Sequence, residues 1–285
     1  MVFTVVLEYR KLGNKDIPAL KKLSRSLKTS PSITTLGKKW LADLDCFPFG
    51  CFSEKKQLIC LVNLRKKSKN LAWIEGIHIH PDFPSDEIIT DLVRFIENFA
   101  KTGGYKNIGF MTETSNQQLI TLGEKLQYES IEKLCLHQTI PSEYTFEGKS
   151  FLNHKPLPLK EAIIAIRNLN ENPKEEIYLD ADYLPLDYEL LRKINDLFFY
   201  ENKGTILIEH PMTSKSKKSV SMKGILIGSK EGVVELLNGF IRRSNTIEKP
   251  VFCLCQTNLC SLAQEVGFAE TDDFSQIVLF KKKIK

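Results

Sequence analysis

Glu75 stands in the run Leu71-Ala72-Trp73-Ile74-Glu75-Gly76-Ile77-His78-Ile79-His80-Pro81, a carboxylate among residues of high strand propensity. On a central strand beside a cleft, a carboxylate can take a proton from an incoming ammonium, directly or through water. It can equally serve as the partner of a cation on the next strand, and the residues alone leave both roles open. Strict alternation puts Trp73, Ile77 and Ile79 on the face of Glu75, and His78 with His80 on the other. Two imidazoles so placed could share a metal, but no third ligand accompanies them, so packing or hydrogen bonding is the simpler account.

A second stretch able to do chemistry is Gly228-Ser229-Lys230-Glu231-Gly232, where two glycines, a hydroxyl and a lysine precede a helical pattern. Backbone amides in such a turn can approach a phosphate, and a capped turn has the same composition. Glu113, Asn116 and Gln117 follow a strand, with Ser115 or Asn116 suited to cap the next helix. Of seven cysteines most lie in apolar runs, as Cys60 does in Leu58-Ile59-Cys60-Leu61-Val62, which predicts buried free thiols. Cys253-Leu254-Cys255 with Cys260 lacks the CxxC spacing of zinc sites and has no histidine near it in sequence, so no metal site is expected there.

The elements that must position these residues alternate in type. A strand over 2–10 is followed by a helix to about Leu27, opened by Asp16 and Pro18. The strands Phe47–Phe52 and Gln57–Arg65 form a hairpin across Ser53-Glu54-Lys55-Lys56. The strand Leu71–Ile79 leads to a helix over Ser85–Thr102, where Ile88, Ile89, Leu92, Val93, Phe95, Ile96 and Phe99 recur at helical spacing. A strand Ile108–Thr112, a helix Gln117–Leu126 and a strand Lys133–Gln138 follow. Residues 140–159, with Pro141, Gly148, Pro156 and Pro158, show little periodicity and mark a boundary. Beyond it come a helix Pro158–Leu169, a strand Glu176–Asp180, a helix Asp187–Phe199, and the strands Gly204–His210 and Ser219–Ile227. The chain then closes as the first half does: helix Lys230–Arg242, strand Val251–Gln256, helix Asn258–Val266, strand Gln276–Phe280.

A chain of 285 residues suits two domains of roughly 140 residues. No apolar run reaches the ~18 residues needed to span a bilayer, and the N-terminus lacks the basic start of a signal peptide, so a cytoplasmic protein without a membrane segment is expected. The net charge of +5 comes from scattered lysines without interleaved aromatics, which argues against a nucleic-acid partner.

From Tyr9-Arg10-Lys11-Leu12 and Asp16-Ile17-Pro18-Ala19-Leu20 through Asn116 and Tyr128, the first half resembles the GNAT superfamily of acyl-CoA N-acyltransferases. Trp73-Ile74-Glu75-Gly76-Ile77 with His80-Pro81 is similar to the WLEGLRV run of the subgroup that includes histidine N-acetyltransferase, in which a diverged GNAT-like half follows the first. The resemblance implies an α/β (α+β) fold of two GNAT-like domains, each a mixed, mostly antiparallel sheet flanked by helices. These would be an acyltransferase domain over 1–140, a linker over 141–158 and a diverged domain over 159–285. It implies acetyl-CoA as cofactor and a small-molecule or peptide amine as acceptor, with Glu75 as base. Cofactor contacts would come from Ile77, His78, Ile79, Ser85 and Asn116, and from Gly228, Ser229 and Lys230 if the second half takes the phosphates. A mildly basic surface suits an anionic cofactor.

Two devices of that family are missing. Its pyrophosphate loop, RxxGxG or RGxGxG, falls on Pro84, Ser85, Asp86, Glu87, Ile88 and Ile89, without arginine or glycine. Asp86 and Glu87 suit a helix dipole but repel a polyphosphate. Its thiolate-protonating tyrosine, in NxxAxxLYEKxGF, falls on Gly123, and in the second half on Ala263. A noncatalytic GNAT-like binding or regulatory protein is therefore the alternative expectation.

Overall fold

A computed structural model of the chain describes residues 7–27, 33–83, 85–140, 155–169, 176–179, 182–194, 196–213, 220–244, 250–271 and 276–284. They belong to two compact units, Met1–Ile131 with Leu279–Lys285, and Glu132–Val278. None of the described helices is long and apolar enough to cross a membrane.

The first unit contains β1 (Glu8–Lys11), α1 (Ile17–Leu27), α2 (Ile33–Ala42), β2 (Cys46–Phe52), β3 (Leu58–Lys66), β4 (Leu71–Ile79), α3 (Ser85–Thr102), β5 (Asn107–Glu113) and α4 (Gln117–Lys125). Its strand order is β1-β2-β3-β4-β5, with residues 279–283 of the chain's last strand beside β5. All pairs among β1 to β4 are antiparallel and β4–β5 is parallel, the consequence of a helical crossover between them. Before α1, Asp16 accepts the Gly13 N–H at 2.9 Å and both guanidinium arms of Arg10 at 2.9 and 2.7 Å, which fixes the entry of the helix.

The two faces of this sheet are covered by different helices because the side chains of β2 alternate. Phe47 and Phe49 meet Phe95 and Phe99 of α3 edge-on or tilted, with centroids 4.9 to 5.9 Å apart. On the other face Leu20 and Leu23 of α1, with Ile33 and Trp40 of α2, bury against Leu12, Cys46, Phe52, Leu58 and Leu61. Helix α2 was not expected from the sequence. It is held by burying Ile33, Gly37 and Trp40.

The second unit takes up the chain within β6 (Glu129–Thr139) and continues through α5 (Leu159–Arg167), β7 (Glu176–Leu179), β8 (Asp182–Pro185), α6 (Tyr188–Leu191), β9 (Phe198–Asn202), β10 (Thr205–Thr213), β11 (Val220–Gly228), α7 (Val233–Arg243), β12 (Val251–Gln256), α8 (Cys260–Glu265), β13 (Ala269–Glu270) and β14 (Gln276–Lys283). Its strand order is β6-β12-β11-β10-β9, with β13 on β6 and β7–β8 a separate hairpin. The helix expected over Asp187–Phe199 is shorter: Asp187 caps α6 by accepting the Leu190 N–H at 2.9 Å, and Phe198-Phe199-Tyr200 pair with β10 as β9. Aromatic residues on a pleated, half-buried surface outweigh helical spacing there. All seven cysteines are free, and six are buried.

Candidate active site

β4 and β5 are paired at Leu71–Asn107, Ala72–Ile108 and Trp73–Gly109, and at no later residue among those described. Beyond Trp73, β4 still pairs with β3 on its other side, through Ile74, Glu75, His78 and Ile79. Its edge towards β5 is therefore open from Ile74 to Ile79. The strands meet at residue 109 because it has no side chain. A Cβ on Gly109 would overlap the Trp73 ring and fall 2.7 Å from the Phe280 carbonyl oxygen.

Just past the divergence β4 bulges. Asn63 pairs with Glu75 and Leu61 with His78, so Gly76 and Ile77 together oppose Val62. Gly76 has φ +60°, and a Cβ there would lie 2.5 Å from the indole of Trp40. Because Leu61 and Asn63 are two apart on one strand, their partners His78 and Glu75 share a face. The alternation expected from the sequence is thus broken: His78 joins Glu75, and Ile79, opposite Cys60, lies on the other side.

Glu75 sits in a charged cluster. Its Oε1 accepts from Arg65 Nε at 2.9 Å and Lys67 Nζ at 3.0 Å, and its Oε2 from Arg65 Nε at 3.1 Å and Asn63 Nδ2 at 3.3 Å. Arg65 also donates to Asp43 at 2.7 Å. A carboxylate has about four lone-pair positions, and those of Glu75 are all engaged. The Lys67 side chain is only 2% exposed. Nothing in the sequence tied Arg65 and Lys67 to Glu75, because strand register is a tertiary property.

His78 differs. Its ring stacks on Trp40 with centroids 6.5 Å apart, its Nε2 has no hydrogen-bond partner, and burial holds its pKa below the ordinary 6.5. It is a neutral imidazole at pH 7. His80, by contrast, is engaged on both sides: Nδ1 accepts the Asp82 N–H at 3.3 Å, which leaves Nε2 to donate to Ser26 Oγ at 2.9 Å.

Between α3, which follows β4, and α4, which follows β5, runs a groove of about 480 Å³ lined by Asp86, Thr90, Gln117, Gln118, Thr121 and Lys125 among others. Ser85 opens α3, and its side chain is outside the described residues. Asp86 accepts from Gln118 at 2.8 Å. Asn116 caps α4 by accepting the Leu119 N–H at 3.2 Å. Gly123, at the family's tyrosine position, is packed against Phe110 and Phe280, whose ring atoms would be 3.1 to 3.2 Å from a Cβ, so no ring fits there. Tyr128 is buried, and that burial, followed by Glu97, raises its hydroxyl well above the ordinary tyrosine range, which makes it a poor acid. A larger hollow of about 770 Å³ lies on the α1 side, where Arg10 is already paired with Asp16.

In the second unit, β11 and β12 pair from Lys223–Phe252 to Leu226–Cys255, close to the end of β11. The residual gap is closed by Gln256, whose Oε1 accepts the Gly228 N–H at 3.1 Å. Ser229 donates its N–H to the Gly204 carbonyl at 3.1 Å and its hydroxyl to the Lys203 carbonyl at 2.7 Å, while the Gly232 N–H goes to Thr205 Oγ1 at 3.1 Å. The amides of Ser229 and Gly232 are therefore spent on the turn between β9 and β10, and that of Gly228 on Gln256. The glycines serve that contact, since a Cβ on Gly228 or Gly232 would overlap the carbonyl oxygen of Gly204 or Asn202. Lys230 is exposed in the same loop.

No protein-family model matches the sequence, and no curated protein matches it significantly. Solved structures do. A GCN5-related N-acetyltransferase from Sphaerobacter thermophilus is similar with a TM-score of 0.59 and 14% identity, over 98% of this chain and 96% of that one. A protein of Thermoplasma acidophilum provisionally described as an acetyltransferase has a TM-score of 0.60 and 12% identity, over 97% of this chain and 99% of that one. A further GCN5-related N-acetyltransferase, from Anabaena variabilis, has a TM-score of 0.55 and 14% identity, over 98% of this chain and 73% of that one. The chain has the mixed α/β fold of the GCN5-related N-acetyltransferases.

Proposed function

We propose that the first unit is an acetyl-CoA-dependent N-acyltransferase acting on an amine of a small molecule or peptide. The observation that carries this reading is the divergence of β4 from β5 after Trp73, which leaves a row of backbone donors and acceptors over Ile74–Ile79; the helices that follow the two strands, α3 and α4, line a groove. An extended pantetheine arm pairs with such an edge through its amides, as a peptide adds to a sheet. Ile77, His78 and Ile79 supply the edge, and Lys125 is the cation of the groove nearest to hand for the anionic end. The second unit's β11–β12 end, with its amides consumed, is the less suited of the two.

In this reading the amine nitrogen attacks the thioester carbonyl, the acetyl group passes from sulfur to nitrogen, and the thiolate leaves. That thiolate, whose conjugate acid has an ordinary pKa of about 8.5, takes a proton from water without a tyrosine. The amine's proton goes to Nε2 of His78, which carries no hydrogen bond, once Trp40 moves off it. Glu75 would have to release Arg65 or Lys67 before it could serve.

Calorimetry with acetyl-CoA at low salt tests the reading: binding weakened tenfold or more by Lys125→Glu and unaffected by Lys230→Ala supports it, while no heat and no thermal shift at millimolar ligand overturns it. The closed surroundings of Gly123 and the filled acceptor positions of Glu75 favour a second reading, a noncatalytic GNAT-like binding or regulatory protein. Binding without turnover of any amine acceptor would select it.

A further inference from the structure

The second unit gathers a group of side chains that the sequence keeps far apart. Cys135 and His137, two apart on β6, face the same side of the sheet, and Cys260 approaches them from the start of α8. The sulfurs of Cys135 and Cys260 and a ring nitrogen of His137 lie within 4.8 Å of one another. Cys255 is directly opposite Cys135 in the β6–β12 ladder, and its sulfur is 3.7 Å from that of Cys260.

His137 is 0% exposed, and neither ring nitrogen has a hydrogen-bond partner. Burying such a group unsatisfied costs about 1–3 kcal/mol, so a core that keeps an imidazole here in place of an apolar side chain calls for a ligand. Tetrahedral zinc holds sulfur at about 2.3 Å and imidazole nitrogen at about 2.0–2.1 Å, which separates its donor atoms by roughly 3.5–3.8 Å. The Cys255–Cys260 separation already has that value, and the ligand atoms of Cys135 and His137 lie within 4.8 Å of the Cys260 sulfur.

We propose that Cys135, His137 and Cys260, with Cys255 as fourth ligand, bind a thiophilic d10 divalent ion of the zinc class. Thiolates with one imidazole select such an ion over magnesium or calcium. Two ligands stand on β6, one on β12 and one on α8, so the ion ties the helix to two neighbouring strands. Binding releases the thiol protons. Cys260, the least buried of the four, marks the side from which the ion enters.

The test uses the full chain, purified under reducing conditions and stripped of metal. Titration with Zn²⁺ against a chromophoric chelator should show one equivalent bound and a higher melting temperature. Co²⁺ should give thiolate charge transfer and tetrahedral d–d bands. Cys260→Ser and His137→Gln should each weaken the ion by roughly 10²-fold or more, while Cys255→Ser should reduce the charge-transfer intensity. Circular dichroism of each apo variant separates ligand loss from misfolding. No uptake by the folded wild-type chain overturns the proposal, as does uptake that both Cys260→Ser and His137→Gln leave unchanged in the folded state. A Cys255–Cys260 disulfide in place of metal uptake overturns it too.

Discussion

His78 and Glu75 share one face of β4 yet differ in what they can give. The imidazole is half-buried, neutral and unpartnered at Nε2, whereas the carboxylate answers to Arg65, Lys67 and Asn63. If His78 accepts the proton, His78→Gln should lower turnover by roughly 10²-fold with acetyl-CoA affinity intact. Glu75→Gln should instead act on stability, by about 1–3 kcal/mol, since it strips a buried ammonium of its counter-charge. Urea melts and steady-state kinetics on both variants decide this, and the opposite pattern returns the base to Glu75. His78 also sets a pH dependence. Its pKa is depressed in the fold below the ordinary 6.5, so the unfolded chain binds more protons between the two values. The stability that depends on neutral His78 is complete above about pH 6.5 and is lost as pH falls below it. Melting curves of His78→Phe should be flatter over that acidic window than those of the parent.

At the scale of elements, helix and strand pairs are joined by ionic contacts with unequal burial. Glu209 of β10 is buried and pairs with Arg243 of α7, whose guanidinium also lies over the Tyr200 ring at 3.9 Å. Burial raises the Glu209 pKa and Arg243 opposes that rise. Removing the partner of a buried charge costs about 3–5 kcal/mol, and Arg243→Ala should approach that at neutral pH. With Arg243 gone the Glu209 pKa climbs further, and the folded carboxyl then holds a proton that the unfolded one loses. The deficit of the variant should therefore shrink as pH falls from 8 to 5, as read by urea melts at both values. The loop before α7 is tied as firmly, because a Cβ on Gly232 would meet backbone and not a yielding side chain. Gly232→Ala should cost about 1–3 kcal/mol in thermal or denaturant unfolding.

For the whole molecule, the chain's last residues matter to its first unit. Leu279–Lys285 belong with Met1–Ile131, where Phe280 stacks on Phe110 at 5.0 Å and Lys282 donates to both oxygens of Glu97 at 3.0 Å. Deleting 279–285 uncovers Phe110, Gly109 and one edge of β5. A chain ending at Val278 should lose the cooperative unfolding of the first unit and bind a hydrophobic dye. Residues 1–140 expressed alone should behave likewise, and native-like melting of either piece would count against this assignment. An exposed strand edge next to aromatic side chains is also a site for aggregation.

What the residues by themselves determined was local. Helix α3 and strands β4 and β12 were readable to the residue, since each has a strong hydrophobic period and sharp ends. The absence of arginine and glycine over Pro84–Ile89, and of a tyrosine at position 123, was legible as well, because a missing residue type needs no structure to be seen. Tertiary structure decided what depends on register and on distant chain. The bulge at Gly76 moved His78 to the face of Glu75, the ladder brought Arg65 and Lys67 to that carboxylate, and α2 brought Trp40 to the His78 ring. His137 found Cys260 in the same way, across a fold that places β6 beside β12. Side-chain period and propensity act over a few residues, whereas pairing between strands is set by which buried faces fit, and only the folded chain settles that.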